Sequence, residues 1–569
     1  MTTKTDPRRL PRVARSQLAD FEHGRLSRRE FLTRITALGV PAALAYTLGG
    51  LPARAQDIAA AQTKRTMRIQ QEVRPMKDPR TFDWTQIANF ARGWLEYLVE
   101  YRRDGSLHGM LLRDWEVNDN ATEYLLHLRE GVTWTTGEPF TAEDVQRVFA
   151  YWADTTVEGN SMAARLGALI DPATGQLRPD AVEIVTPMQV RLHLSRPDVT
   201  LMVNLADYPA AVVHSSHTPE TMLTNPVGTG PYLPESYVFG ERAVLVRNDE
   251  HDWWGHSAEG YGGATLERIE FIDYGTDPAS WIAAIQADEV DLLYQNVGEF
   301  IGVADELGLR RSDVATSATV VVRFNQQAMV DGQKIYADPA LRRAMVQAVD
   351  NAICLELGYD DQGIVAANHH VAPIQPDFAD IGPAVFDPDG TAATIAELGL
   401  EDLEHVLVSL DDGFTRKTAD AVATQLRDAG VKVRRQVLPG SAFWADWVRY
   451  PFSITEWNHR PLGIQPLALG YRSGAAWNES GYANPDFDAK IDEALSIAEA
   501  RDRIGVMAEL QTILREDHVI IQPYWRSLYR HMRSDVVGAE MHPTIELHPY
   551  RLGFRAGAPV DDANLPDSD

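Results

Sequence analysis

The residues with the most chemical potential lie between Phe443 and Trp477. The chain reads Phe443-Trp444-Ala445-Asp446-Trp447, then Thr455-Glu456-Trp457-Asn458-His459-Arg460-Pro461, then Trp477-Asn478-Glu479. Four tryptophans within 35 residues supply broad apolar planes with one polar edge each, suited to stacking on a ligand and equally to filling a core. Arg460 is the sharper feature. A guanidinium taken out of water needs acceptors, and its planar fork grips a carboxylate or phosphate through two parallel hydrogen bonds. Either a ligand supplies that anion, or Arg460 pairs internally with Glu456 or Glu479.

Nothing comparable points to bond-making chemistry. The sequence has no G-x-S-x-G elbow, no S-x-x-K, no H-E-x-x-H and no glycine-rich phosphate loop followed by lysine and Ser/Thr. His369 and His370 are adjacent, so on a strand they face opposite ways and would rarely share one metal. His214 and His217 have no converging cysteines or acids around them. No metal and no cofactor is therefore expected, and no catalytic residue. The single cysteine, Cys354, excludes an intrachain disulfide, so packing alone must hold the fold.

The N-terminal stretch carries an address. Ser27-Arg28-Arg29-Glu30-Phe31-Leu32 precedes an apolar run from Ile35 to Leu51 and then Ala53-Arg54-Ala55. Paired arginines, a short apolar segment and an A-x-A site read as a twin-arginine export signal over 1–55, cleaved near Ala55 and used by the twin-arginine translocase. The run, broken by Gly39, Pro41, Gly49 and Gly50, is short for ~30 Å of hydrocarbon. No cysteine lies at the cleavage site, so a lipid anchor is not expected, and the mature chain reads as periplasmic and monomeric. Ten basic and four acidic residues up to Gln56, +6 against a whole-chain −28, leave about −34 beyond it. So acidic a chain does not suit nucleic acid, whose phosphates need a basic face.

Elements of α/β type must position the tryptophan–arginine region. After a linker over 56–65, Met67-Arg68-Ile69-Gln70 alternates as a strand, and Ile87, Phe90 and Trp94 mark a helix. Thr141-Ala142-Glu143-Asp144 opens another helix, capped by Thr141 and with Val145, Val148, Phe149 and Trp152 on one face. Val190, Leu192 and Leu194 alternate in a strand expected to join the sheet of the first lobe. Asn225-Pro226-Val227-Gly228-Thr229-Gly230-Pro231-Tyr232 is a shaped turn in which glycines let other backbone approach. His405–Leu410, the helix Lys417–Ala429 and Val431–Arg434 form a βαβ unit with parallel strands. The region Tyr274–Asp277 is read as the crossing between lobes, and the segment from His518 as a return to the first lobe.

In this order the motifs resemble the extracytoplasmic solute-binding proteins of the peptide, dipeptide, opine and nickel ABC importers, bacterial solute-binding protein family 5. The resemblance rests on the Gly228-Thr229-Gly230-Pro231-Tyr232 turn, Arg247-Asn248 followed by Trp253-Trp254-Gly255, Trp134 through Val145, Arg342 through Asp350, and Asn484-Pro485-Asp486-Phe487-Asp488. It implies a two-lobed α/β fold, periplasmic-binding-protein-like of type II in its large form with an extra subdomain. The implied boundaries are 66–90, 185–275 and 515–556 for lobe I, 91–184 for the extra subdomain, 276–514 for lobe II, and a disordered tail over 557–569. It also implies a receptor that delivers a small solute to ABC permease subunits, with a nickel-type metallophore receptor as the alternative, a periplasmic hydrolase as a remote one, and a sensory role for the same lobes left open. Trp444 and Trp457 match ligand-contacting tryptophans. In peptide binders an aspartate three residues after the second tryptophan holds the peptide's ammonium; this chain has Arg460 there, which implies an anion-bearing solute instead. Asn458 and His459 accompany Arg460, Asp83 and Thr85 match the lip of the cleft in lobe I, and Arg323 and Asn325 lie on a strand-to-loop segment expected near it.

Overall fold

The computed structural model describes residues 12–50 and 66–555, apart from 27, 119–120, 199, 259, 262 and 498–499. The cleavage site, the 56–65 linker and the 557–569 tail lie outside the described residues.

One mixed sheet runs through the molecule. Its principal strands are β1 (Thr66–Gln70), β2 (Tyr232–Val238), β3 (Arg242–Arg247), β4 (Arg268–Ile272), β5 (Leu292–Leu293), β6 (Arg310–Phe324), β7 (His405–Leu410), β8 (Val433–Leu438), β9 (Phe452–Trp457) and β10 (Tyr524–Met532). Their spatial order is β2-β3-β4-β1-β5-β10-β6-β9-β7-β8. The βαβ unit is as read from the sequence: β7 and β8 pair in parallel from His405 opposite Val433 to Leu410 opposite Leu438. The helix between them, Gly413–Asp428, is capped by Asp412, which accepts from the Thr415 amide at 2.7 Å. The Thr141 capping box and the Asn484 cap also form.

Strand partners differ from the expectation in three places. Val190 and Leu192 lie on Gln189–His193, which pairs with Glu123–Leu128 in a separate four-stranded antiparallel sheet, not in the main sheet. The crossing comes later than Tyr274–Asp277: β5 pairs in parallel with β1, and Ile282, Ile285, Val290 and Leu293 share a core with Ile272 of β4. Ile520–Ile521 and most of β10 pair with β6, so the return to the first lobe follows Met532, which lies opposite Leu292. Alternation reveals a strand and its buried face, but its partner is a tertiary choice that period-two patterning does not encode.

The Gly-Thr-Gly turn earns its glycines by close approach. A Cβ on Gly228 would sit 1.9 Å from the Trp94 carbonyl oxygen, and one on Gly230 2.7 Å from that of Gly93. In return, the Gly230 amide donates to Trp94 at 3.0 Å and the Tyr232 amide to Gly93 at 2.9 Å. Beside the turn, the Trp253 and Trp254 indoles donate to the buried Glu96 carboxylate at 2.9 and 2.7 Å. The motif is therefore an anchor between the start of β2 and the turn Gly93-Trp94 that follows the helix Thr85–Ala91.

Residues 12–50 form helices Arg12–Glu22, Arg28–Ala37 and Ala42–Leu48. Phe31, Leu32 and Ile35 are buried, and the Trp115 indole donates to the Ala37 carbonyl at 3.0 Å. Among the described residues no helix is long and apolar enough to cross a membrane.

Candidate ligand cleft

Strand β9 delivers Trp457 at its end, and the chain then leaves the sheet as Asn458-His459-Arg460. Because β9 pairs with β6, Trp457 opposite Thr319, this exit faces the first lobe. The helix Thr85–Ala91, the loop after Leu201–Asn204 and the return segment 541–548 supply the opposite wall. Asn458 Nδ2 donates to Thr85 Oγ1 at 3.0 Å, and Thr85 Oγ1 donates to the Thr544 carbonyl at 3.2 Å. Gln465 Nε2 donates to Asn204 Oδ1 at 2.9 Å.

Arg460 sits at the centre of this contact, 2% exposed. Its Nη2 donates to the Tyr208 hydroxyl at 3.2 Å and its Nη1 to the His459 carbonyl at 3.1 Å. Nη1 also lies 3.8 Å from Asp207 Oδ1, a loose pair, since Asp207 is held closely at 2.6 Å by Arg165. The guanidinium lies 5.3 Å from the Tyr208 ring centroid and 5.5 Å from that of Trp477. Its Nε is buried without a hydrogen-bond partner. Burial pushes the Asp207 carboxyl up, but Arg460 and Arg165 outweigh it and hold the group below its ordinary value.

The internal partner of Arg460 is thus neither acid named from the sequence. Glu456 pairs with Arg526 at 3.1 Å and Glu479 with Arg323 at 2.8 Å. Both are too committed to serve Arg460, whose counter-charge, Asp207, comes from the other wall.

Arg460 borders a narrow gap of about 10 Å³, room for about one water, whose lining includes Tyr101, Asp207, Gln465, Thr544 and Glu546. Its walls are charged on both sides. Glu546 is paired with Arg92 at 2.9 Å; burial raises its carboxyl, but Arg92 and His548 bring it down to about 2.

The other expected site residues divide. His459 points its Nδ1 at Ser317, accepting from the backbone amide at 3.0 Å, which fixes the turn carrying Arg460. Trp457 donates to Glu479 at 2.8 Å and packs edge-on against Trp477 at 5.9 Å. Trp444 lies 4.2 Å from Trp84, with the Arg74 guanidinium 4.2 Å from its ring centroid; its buried indole nitrogen has no partner. This second aromatic cluster crosses from lobe II to the loop after β1. Asp83 is held by Lys77 at 2.5 Å, and its carbonyl accepts from Tyr208 at 3.0 Å.

Arg323 and Asn325 do not reach the gap. Arg323 is fully enclosed, bound to Glu479, Thr455 and the Trp447 carbonyl. Asn325 closes its own loop, accepting from the Gln327 amide at 3.0 Å and donating to the Val448 carbonyl at 3.3 Å. Both are spent on holding the tryptophan segment to β6. Asp207, Tyr208 and Glu546 were missed, since they stand on segments with no periodicity, and Tyr101 because it ends a three-residue strand, Val99–Tyr101, buried throughout and too short to show alternation. The one signal for Asp207 was the need of Arg460 for an acid. His370 is buried against Tyr471 at 2.7 Å, and burial lowers it to about 3.

A sheet shared by two lobes, with a charged gap between them, is the architecture of the two-lobed periplasmic binding proteins. Residues 106–479 match the bacterial extracellular solute-binding proteins, family 5 Middle. The heme-binding protein A of Haemophilus influenzae is 23% identical over 450 residues, 73% of this chain and 79% of that protein. The fold of the Escherichia coli murein tripeptide binding protein MppA superposes with a TM-score of 0.76 at 19% identity, covering 87% of this chain and 99% of that one. That of AgaA from A. tumefaciens R10, in complex with agropinic acid, gives 0.72 at 17%, covering 87% and 99%. The chain belongs to family 5 of the bacterial extracellular solute-binding proteins, the receptors of ABC importers.

Proposed function

We propose that the protein is an exported, periplasmic receptor that closes its lobes on a small solute bearing a carboxylate or phosphate, and presents it to the permease of an ABC importer. The observation that carries the reading is Arg460. Its guanidinium leaves one lobe, rests against Tyr208 and Asp207 of the other, and keeps a buried, unpartnered Nε on a residue that lines the gap. Its internal counter-charge is distant enough for a solute anion to compete, and a charge-assisted hydrogen bond of this kind contributes about 1.5–3 kcal/mol. The bound acid in the AgaA structure supports the same ligand class.

Closure needs only that the solute contact both walls at once. A ligand moves a two-state equilibrium from 1:99 to 99:1 when it favours the shut form by ~5.5 kcal/mol. The Arg28-Arg29 leader supports export by the twin-arginine route, with cleavage near Ala55. Mass spectrometry of what co-purifies from native cells tests the reading: the solute carries a carboxylate or phosphate. A solute with no acidic group contradicts the assignment to Arg460 while leaving the receptor intact.

A further inference from the structure

The return segment after β10 carries a cluster that the solute reading does not use. His542, Glu546 and His548 are all buried, and one donor atom from each lies within 4.8 Å of the others. The two imidazoles are oriented from outside. His542 Nε2 lies 3.0 Å from the Tyr101 carbonyl, to which it donates, so Nδ1 keeps its lone pair, which here accepts from Thr544 Oγ1 at 2.8 Å and from the Thr544 amide at 3.3 Å; an ion would displace the hydroxyl. His548 Nδ1 is hydrogen-bonded to the Tyr550 hydroxyl at 2.8 Å, with Glu100 Oε1 3.1 Å away, which leaves Nε2 turned to Glu546 Oε2 at 3.2 Å. A ring fixed through one nitrogen by an outer polar group, here the Tyr101 carbonyl and the Tyr550 hydroxyl, with the other nitrogen toward the cluster, is how metal-ligating histidines are aimed.

The backbone between these donors is strained. Ile545 stands at φ 60°, a left-handed conformation that a β-branched residue rarely adopts and that costs of order 1–3 kcal/mol. It turns the chain so that His542 and Glu546 meet.

We propose that His542, Glu546 and His548 bind one divalent transition-metal ion, in the wall of the gap between the lobes. Two imidazole nitrogens and one carboxylate oxygen suit zinc, cobalt or nickel, where magnesium and calcium take oxygen alone. Of the cluster Glu546 lines the gap, with Thr544 beside it, while His542 and His548 lie behind its wall; three protein ligands leave a fourth position for a water. Arg92 occupies Glu546 Oε1 at 2.9 Å; Glu546 therefore ligates through Oε2, and the nearby cation makes the site weaker than a closed structural one.

The test uses the full chain, freed of metal by chelator and dialysed. Cobalt(II) is titrated against visible absorption and zinc(II) by calorimetry, with no solute present. One equivalent binds to the wild type. His542→Gln and His548→Gln weaken it by about tenfold or more, while His214→Gln, outside the cluster, leaves it intact. A metal-dependent rise in the wild-type melting temperature, absent in the folded His542→Gln protein, reads the same site without spectroscopy. Zinc-edge absorption of the wild type shows two imidazole scatterers. Absence of binding to the wild type, unchanged binding in both cluster variants, loss on His214→Gln, or a first shell without imidazole overturns the proposal. None of these outcomes depends on which solute the cleft takes.

Discussion

Asn458 Nδ2 lies 3.0 Å from Thr85 Oγ1, a single hydrogen bond joining the residue after β9 to the first turn of the helix facing it across the cleft. Both were expected at the site from opposite ends of the chain, and they meet directly. Parting the lobes would break this bond, so it should weight the open–shut equilibrium by the net value of one hydrogen bond, about 0.5–1.5 kcal/mol. Thr85→Val should raise the radius of gyration of the solute-free protein in solution scattering and weaken solute binding by about tenfold or less. The double variant with Asn458→Ala should add little more, because the two side chains share one interaction. Additive losses would place them in separate roles.

Gly228 is a structural requirement. Gly228→Ala drives a Cβ to 1.9 Å from the Trp94 carbonyl, and overpacking of this kind costs about 1–3 kcal/mol or more. The melting temperature should fall by several degrees, whereas Gly137→Ala, which meets no neighbour, is strained only by its positive φ. Solute affinity of the folded Gly228→Ala protein should not change.

Arg323 should behave as a support. Arg323→Met leaves Glu479 buried without its cation, a loss of about 3–5 kcal/mol, read as a lower denaturant midpoint. The fraction that remains folded should bind solute as the wild type does. A selective loss of affinity would return Arg323 to the binding site.

Glu96 sets a pH dependence. Burial pushes its carboxyl up to about 7 against the pull of the Trp254, Thr229 and Trp253 donors. Its folded value stands above the unfolded one, near 4.5, so its contribution to stability is complete below about 4.5 and is lost as pH rises through about 7. Denaturation across this window should show stability of the wild type falling relative to Glu96→Gln. A constant difference between the two proteins would contradict the shift.

The sequence was most informative where chemistry is local. Caps at Thr141 and Asn484, the βαβ unit of β7 and β8, and the tryptophan–arginine exit from β9 each follow from neighbours in the chain. Partners were not legible. The pairing of β10 with β6, and of Gln189–His193 with Glu123–Leu128, joins segments whose patterns would suit several sheets. The cleft shows the same divide: Arg460 announced its need for an anion, but Asp207 and Tyr208, some 250 positions earlier, carry no mark of where the fold takes them. Arg323 misled because a buried arginine beside a loop looks alike whether its acid belongs to the ligand or, as here, to Glu479.

The account rests on a guanidinium that holds the solute's anion between the lobes, and calorimetry of Arg460→Ala with the co-purified solute tests it most directly. Losing a charge-assisted contact of about 1.5–3 kcal/mol predicts affinity lower by about tenfold to a hundredfold in a variant that stays folded. Undiminished affinity for that solute would contradict it.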